Sequence, residues 1–250
     1  MATFDVRKIG QFREAMPRPG TMPSPCAACS VRHLSLCAAL DESEVCEVAA
    51  ITTTLDFGPG EPLIDEGQPA IHVFNVTSGA IRVYKLLIDG RRQMTGFLFP
   101  GDFLGLANDE SYAYSAEAVT AAKACRFPRR KLEAVLARYP KMERRLLGIA
   151  SHELAAAQEQ MLLLGRKTAR EKIASFLIML SRRAAQRELE SNPVSVPMSR
   201  NDIGDYLGLT TETVSRTFSQ LKAGGIIELL AGGKVLLADP AKLQDIADGA

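Results

Sequence analysis

The spacing of apolar residues changes along the chain and predicts a β region followed by a mainly helical one. Residues 52–127 carry short runs of β-branched and aromatic residues, with turn signals about every ten residues, and this pattern is typical of a sandwich or barrel. The turn pair Asp89-Gly90, between Ile81–Ile88 and Arg91–Phe99, is the clearest hairpin signal. After residue 127 the apolar positions recur mostly three and four residues apart, which indicates helices.

The residues before the strands have a different character. Residues 1–24 contain several prolines and few periodic apolar positions, so we predict a flexible tail. Residues 41–50 begin with acidic residues and continue with apolar residues at helical spacing, which predicts a short helix. Cys46 is placed on the apolar side of that helix.

One long helix is predicted over residues 141–165, after a shorter helix that begins at Pro128 and ends near Pro140. Its apolar residues alternate at spacings of three and four and form a seam of the coiled-coil type. The seam residues are Leu147, Ala150, Leu154, Ala157, Met161 and Leu164. The seam favours a parallel dimer, while Leu146, Ile149 and Leu162 on the adjoining face are expected to pack on the chain's own β domain. Two alanines make the seam thin, and we hypothesise that a nearby event can shift its stability.

The C-terminal region predicts a helix-turn-helix with a wing. A helix over residues 166–190 ends at Ser191-Asn192-Pro193 and precedes two further helices, Ser199–Leu209 and Thr210–Lys222. A hairpin of Ile226–Leu230 and Lys234–Leu237 follows them, so the module is a winged helix. The apolar residues expected to hold the two helices together are Ile203, Leu207, Val214, Phe218 and Leu221.

The second of these helices presents side chains that can read DNA. Arg216 can donate to guanine, Glu212 can accept from cytosine, and Ser215 can reach a base or a phosphate. Arg200 and the amides around Thr210 and Thr211 are placed to hold phosphates. Any surface helix carries polar residues, but the helix cap, the turn glycine and the wing occur together here. We therefore predict double-stranded DNA as a partner.

Composition narrows the class of protein without naming it. The chain has 250 residues and a net charge of +1, so no global basic field attracts nucleic acid and any DNA binding must be local. No apolar run long enough to span a membrane and no apolar leader are visible. We therefore expect a cytoplasmic protein with no membrane partner.

Three of the five cysteines, Cys26, Cys29 and Cys37, are spaced C-x2-C-x7-C. Two residues between cysteines let both thiolates turn toward one point, which suits a metal ion or cluster, but three ligands are one short of four. The spacing alone leaves zinc, a disulfide with a spare thiol and a cluster open.

The chain resembles the Crp/Fnr family of bacterial transcription regulators over almost its whole length. The resemblance rests on Gly101-Asp102-Phe103-Leu104-Gly105-Leu106 and on Ile203-Gly204-Asp205-Tyr206-Leu207-Gly208-Leu209-Thr210-x-Glu212-Thr213-Val214-Ser215-Arg216. It implies an α+β fold with an N-terminal jelly-roll domain, a long dimerisation helix and a C-terminal winged helix-turn-helix. The corresponding divisions are residues 1–24 (tail), 25–140 (iron–sulfur sensory domain with the β roll), 141–165 (dimerisation helix) and 166–250 (DNA-binding domain).

The resemblance also implies what the regulator senses. Members that bind cyclic nucleotides have an Arg-Ser/Thr-Ala triplet where this chain has Tyr114-Ser115-Ala116, so no cyclic nucleotide is expected. Fnr-type members hold a [4Fe-4S] cluster on N-terminal cysteines plus one distant cysteine, and Arg32-His33 ahead of the third cysteine resembles the FnrN/FnrL branch. By this resemblance the ligands are Cys26, Cys29, Cys37 and Cys125.

The expected function is an oxygen-responsive activator that controls anaerobic or microaerobic gene expression. By the resemblance, a homodimer with an intact cluster would bind a palindromic site of the TTGAT…ATCAA type and meet RNA polymerase. Three alternatives remain: Cys46 as the fourth ligand in a zinc site, a haem-dependent or zinc-dependent sensor with the same DNA output, and a cupin-like metalloenzyme. The enzyme is disfavoured because His33, His72 and His152 form no recognisable metal or catalytic set.

Overall fold

The computed structural model describes residue 26, residues 29–106 and residues 110–249, so the predicted tail lies outside the described residues. The N-terminal region contains helix α1 (Glu42–Ile51) and strands β1 (Thr53–Phe57), β2 (Pro62–Ile64), β3 (His72–Ser78), β4 (Ile81–Leu86), β5 (Arg92–Leu98), β6 (Phe103–Leu104), β7 (Ser115–Ala118) and β8 (Ala122–Pro128). Helices α2 (Arg129–Arg138), α3 (Pro140–Arg166) and α4 (Ala169–Gln186) follow. The C-terminal elements are β9 (Val194–Ser195), α5 (Arg200–Leu207), α6 (Thr211–Ala223), β10 (Ile227–Leu229), β11 (Lys234–Leu237) and α7 (Pro240–Asp248).

The eight N-terminal strands form two antiparallel sheets, with strand orders β1-β8-β3-β6 and β2-β7-β4-β5. Alternation along β8 shows how the sheets divide the side chains, since Ala122 and Ala124 lie in the core between the sheets. Phe127 instead lies in a second apolar cluster, outside the barrel, with Val45 of α1 and Met142 of α3. The predicted jelly-roll domain and the mixed α+β class are confirmed.

The predicted hairpin around Asp89-Gly90 is present, but its strands are shorter than the sequence indicated. Strand β4 ends at Leu86 and β5 begins at Arg92. Leu87 and Ile88 therefore belong to the connection, where the Leu87 amide donates to the Arg91 carbonyl at 2.8 Å. Ile88 is fully exposed, so no packing holds it in a strand.

The helices agree with the periodicity that predicted them. The short N-terminal helix is capped by Asp41, whose side chain accepts from the Glu44 amide, and such a capping box satisfies amides that lack helical partners. The long helix is continuous from Pro140 to Arg166. No helix in the described ranges combines the length and the apolar character needed to cross a membrane.

The C-terminal module has the predicted two helices and hairpin, together with two elements that were not predicted. Strand β9 adds to the hairpin and gives the order β10-β11-β9. Helix α7 packs against α4, with Leu243 and Ile246 in the core of the module. Its signals were present in the sequence, since Asp239 caps the helix and Pro240 occupies its first turn.

The core of the DNA-binding module extends into the β domain. Met94 and Phe97 of β5 belong to the same apolar cluster as Phe176 of α4 and Ile203 of α5. The ring of Phe97 lies 6.3 Å from that of Phe176 and 5.3 Å from that of Tyr206, both as edge contacts. The two domains of one chain are therefore packed together through aromatic side chains.

Candidate cysteine site and DNA-binding surface

Cys125 lies on strand β8, opposite Thr54 of β1 and Asn75 of β3. The alternation of the strand turns its side chain away from the barrel interior, because neighbouring Ala124 faces inward. On this outer face Cys125, Cys26 and Cys37 are partly buried against the apolar cluster of α1, β8 and α3. The sheet thus brings the distant cysteine to the N-terminal ones.

The four predicted ligand thiols influence one another electrostatically. Burial raises the pKa of Cys125 to about 12, and Cys29, Cys26 and Cys37 add to the increase. Burial also raises the pKa of Cys37 to about 11, and Cys26 and Cys29 contribute there too. Burial and Cys29 raise the pKa of Cys26 above its ordinary value. Each thiol therefore lies within the electrostatic reach of the others.

The segment that carries Cys29 and Cys37 is held by hydrogen bonds from several directions. Ser35 caps a short 3-10 helix, Leu36–Ala39, and accepts from the Cys37 amide at 3.2 Å. Arg32 donates to the Leu40 carbonyl at 2.9 Å. Arg145 of α3 donates to the Leu34 carbonyl at 3.0 Å, so the segment is tied to the long helix as well as to the sheet.

The donor set fits a thiolate-bound group better than a single ion. All five cysteines are free thiols, and four of them surround one apolar wall. Within the described ranges, no group of three or more Cys, His, Asp or Glu side chains is arranged to hold one metal ion. Sulfur-only donation is the chemistry of iron–sulfur clusters, which spread their ligands over several iron atoms.

Cys46 occupies a different environment from the one predicted. It was expected on the apolar side of its helix as a buried thiol, but the buried residues of α1 are Val45 and Val48. Cys46 is only partly buried, and its thiol donates to the Glu42 carbonyl at 3.4 Å. It raises the pKa of Cys26, which places it at the margin of the site.

The reading surface of the helix-turn-helix is built from an apolar interior and an exposed polar face. The predicted interior residues Ile203, Leu207, Val214, Phe218 and Leu221 are all buried. Gly208 ends α5 with a φ of 63°, a conformation that favours glycine. Thr211, Glu212, Ser215, Arg216 and Gln220 are all exposed along one side of α6.

Three of the predicted DNA-contacting residues also have structural contacts. Thr210 caps α6 by accepting from the Thr213 amide, and Thr211 donates to the side chain of Asn201 at 3.1 Å. The guanidinium of Arg200 lies 3.4 Å from the centroid of the Phe218 ring, and burial lowers its pKa. Arg200 is therefore held flat against the core of the module, beside the reading helix.

The seam predicted on the long helix is exposed in the single chain. Leu147, Leu154 and Met161 are 70%, 62% and 64% exposed, and Ala150 and Ala157 are exposed between them. Leu164 is the least exposed of the larger seam residues because it lies against Gly208 of the helix-turn-helix. An uncovered stripe of this kind is typical of an interface.

The adjoining face behaves as predicted at two of three positions. Leu146 and Ile149 pack against the apolar cluster beside the cysteines. Leu162 does not, since it is 69% exposed; that part of the prediction was wrong. The neighbouring Leu163 packs on the DNA-binding module instead, because the helix leaves the β domain before it reaches residue 162.

Sequence reasoning missed the polar contacts between the two domains. Asp102, in the turn before β6, forms ion pairs with Arg183 and Arg187 of α4. Arg82 of β4 pairs with Asp202 of α5 at 3.2 Å. Asp102 and Arg183 are 81 positions apart, so no local pattern could have shown that they meet.

A jelly-roll domain joined by a long helix to a winged helix-turn-helix defines a DNA-binding transcription regulator. Two family models match the chain: "Cyclic nucleotide-binding domain" over residues 54–139 and "Crp-like helix-turn-helix domain" over residues 171–246. The chain is 40% identical over 222 residues to the nitrogen fixation regulation protein FixK of Bradyrhizobium diazoefficiens, covering 89% of this chain and 93% of that protein. It is 41% identical over 226 residues to the transcriptional activator protein FnrL of Cereibacter sphaeroides, covering 89% and 91%.

A solved structure supports the same assignment. FixK2 from Bradyrhizobium japonicum superposes with a TM-score of 0.73 at 39% identity, covering 78% of this chain and 97% of that one. The chain belongs to the Crp/Fnr family of transcription regulators and is not an enzyme. Regulators of the Crp family bind DNA as dimers and contact RNA polymerase. The cyclic-nucleotide-type domain is present as a fold, and Tyr114 stands where the phosphate-binding arginine would be.

Proposed function

We propose that this regulator responds to oxygen through a [4Fe-4S] cluster held by Cys26, Cys29, Cys37 and Cys125, and that it controls anaerobic or microaerobic gene expression. The observation that carries the proposal is the gathering of these four thiols on the outer face of β8, beside the start of the long helix. A bound cluster would supply reactivity toward oxygen or nitric oxide. FnrL, with a similar sequence, is described as a transcriptional activator.

The chain's own residues account for how such a site would affect the dimer. Four thiolates bound to one group would hold the segment of residues 26–37 against β8. The Leu34 carbonyl of that segment accepts from Arg145 of α3. Release of the thiolates would free this anchor of the long helix, close to the exposed seam that begins at Leu147. We propose that the seam joins two copies in a homodimer.

The reading helix supports a palindromic target. Glu212, Ser215 and Arg216 are exposed in one row and match the family's Glu-x-x-Ser-Arg pattern for a TTGAT…ATCAA-type site. Two copies related by a two-fold axis would present two such rows to half-sites about one helical turn apart. Loss of the dimer would leave each copy with one half-site and lower affinity.

Anaerobic purification tests the cysteine proposal. We expect iron and acid-labile sulfide in the wild-type protein, and an absorption spectrum that changes when air is admitted. Cys125→Ala should abolish iron and sulfide binding, whereas Cys46→Ala should retain both. Zinc without sulfide, or loss of the cluster in Cys46→Ala but not in Cys125→Ala, would contradict the assignment.

A further inference from the structure

The two domains of the chain are joined by a cluster of charges that neither the DNA surface nor the cysteine site includes. Arg183 Nη2 lies 2.6 Å from Asp102 Oδ2, and Arg187 pairs with the other carboxylate oxygen. The side chains of Asp102 and Arg187 are only 12% and 10% exposed. Solvent screens such pairs weakly, and removing one partner leaves a poorly compensated charge.

The same arginines also satisfy the backbone of the β domain. Arg183 donates to the Phe97 carbonyl at 3.0 Å, and Arg187 donates to the Pro100 carbonyl at 2.9 Å. Both guanidinium groups lie over the ring of Phe99, at 5.2 and 5.9 Å from its centroid. Helix α4 is therefore fixed to the turn between β5 and β6 at several points.

The other side of this turn faces the cysteine segment. Gly101 has a φ of 97°, and a Cβ atom built on it would lie 2.6 Å from Leu34 Cβ. Leu34 thus rests directly on the backbone of Gly101, with no room for a side chain between them. The residue between Cys29 and Cys37 that holds Arg145 also covers the turn that holds the DNA-binding module.

We propose that Asp102, Arg183 and Arg187 form a lock that sets the position of the DNA reader, and that Leu34 makes this lock responsive to the cysteine segment. The second part rests on the proposed function, whereas the first does not. The three lock residues are positioning residues, since the exposed reading row of α6 lies on another helix.

The lock should matter for two half-sites and not for one. A dimer reads both halves of a palindrome only if its two readers are held at the correct separation and angle. Contacts within a half-site depend on α6 itself, whose apolar face is buried independently of the lock. A reader that has lost its lock should therefore keep its half-site affinity and lose the advantage of the second half-site.

The test compares binding to a TTGAT…ATCAA duplex and to a single half-site duplex by fluorescence anisotropy, with anaerobically purified full-length protein. Asp102→Asn and Arg187→Gln should each weaken binding to the palindrome by on the order of tenfold, within the usual range of coupling between sites. Half-site affinity should stay unchanged. The double variant should be no weaker than the weaker single variant, because both changes break one interaction.

Two matched controls separate the lock from general charge effects. Arg182→Gln alters the neighbouring arginine of α4, which is exposed and donates to Gln244. Asp56→Asn breaks an exposed ion pair with Lys123 at the far side of the β domain. Both should leave palindrome affinity unchanged. Additive losses in the double variant, an equal fall in half-site affinity, or no loss at all would overturn the lock.

The link to the cysteine segment needs a separate readout. Leu34→Ala should weaken palindrome binding, and hydrogen exchange in residues 97–102 should become faster, because the Phe99 amide is held by the Asp102 side chain at 2.8 Å. Combining Leu34→Ala with Asp102→Asn should add no further loss. Unchanged exchange and affinity in Leu34→Ala would overturn the link and leave the lock standing.

Iron and sulfide analysis of the same samples keeps the two proposals distinct. The lock variants should contain as much of both as the wild type, since none of the changed residues is a proposed ligand. Absence of iron from every sample would count against the cluster alone. Wild-type cluster content with unaffected palindrome binding in the lock variants would count against the lock alone.

Discussion

Gly101 illustrates how one missing side chain permits contact between two parts of the molecule. Its φ of 97° and the closeness of Leu34 both exclude a Cβ atom. Gly101→Ala should combine about 1–2 kcal/mol of backbone strain with about 1–3 kcal/mol of overpacking. The expected result is a lower denaturation midpoint.

Gly67→Ala is the matched control for that change. Gly67 has a similar φ of 81°, but no heavy atom lies within 4 Å of the position that its Cβ would take. It should therefore show only the strain component. Equal losses of unfolding free energy in the two variants would mean that Leu34 yields without cost, contrary to the close packing described above.

The buried thiols predict how the stability of the cofactor-free protein depends on pH. From an ordinary value of 9.0, the pKa of Cys37 rises to about 11 and that of Cys125 to about 12. Between these values the unfolded chain loses protons that the folded chain keeps, so the free energy of unfolding falls as pH rises. The contribution is complete below pH 9 and is lost progressively toward pH 11 and 12.

Denaturant unfolding at pH 8 and pH 10, under reducing conditions without iron, measures this effect. Cys125→Ser should show a smaller decrease between the two pH values than the wild type, because its hydroxyl does not titrate there. A decrease of the same size would show that other groups cause the pH dependence.

Residue identity could be predicted from the sequence where a motif carries it, and not where the fold alone creates it. The exposed row of Glu212, Ser215 and Arg216 follows from helical spacing. The role of Asp102 does not, because its charge acquires a meaning only when α4 packs against the turn. Arg200 shows an intermediate case, since its position was predicted but its contact with Phe218 was not.

At the scale of elements, the seam on α3 gives the sharpest test of dimer formation. Ala157 and Ala155 are both exposed in the middle of the helix, but only Ala157 belongs to the seam. Ala157→Glu should place two like charges opposite each other in a dimer, whereas Ala155→Glu should leave them in solvent. Each substitution has a similar, small effect on helix propensity.

Sedimentation velocity of the anaerobic protein compares these two variants with the wild type. We expect Ala157→Glu to shift the population toward monomer and to reduce palindrome affinity by tenfold or more, about 1.4 kcal/mol. Ala155→Glu should behave as the wild type. If both variants remain dimeric, the interface lies elsewhere on the chain.

Elements with strong local signals were predicted well, and those that depend on packing were not. The capping box and turn glycine located α5 closely. Strand β9 has only two residues and exists because β11 provides its hydrogen-bond partners. The incorrect assignment of Leu162 has a related cause, since periodicity identifies a face but does not show where along the helix its neighbour ends.

At the scale of the whole molecule, the sequence indicated the order of the domains but not their contact. Phe97 looks like an ordinary strand residue, yet it packs on Phe176 and Tyr206 of the DNA-binding module. Gln160 near the end of α3 donates to the Tyr206 carbonyl at 2.8 Å, and Lys172 donates to the Leu207 carbonyl at 3.1 Å. Aromatic, ionic and backbone contacts thus orient the reader against the long helix.

A reader oriented so firmly should be sensitive to the spacing of the half-sites. Inserting five base pairs turns one half-site by about half a helical turn, and inserting ten restores the face but moves it by roughly 34 Å. We expect both insertions to reduce the affinity of the wild-type protein to that of a single half-site, since neither geometry matches a rigid dimer. Anisotropy titrations with the three duplexes measure this. In Asp102→Asn the loss on insertion should be smaller, because a freed reader gains less from the correct spacing. Equal tolerance of all three duplexes by the wild type would show that its readers move independently despite these contacts.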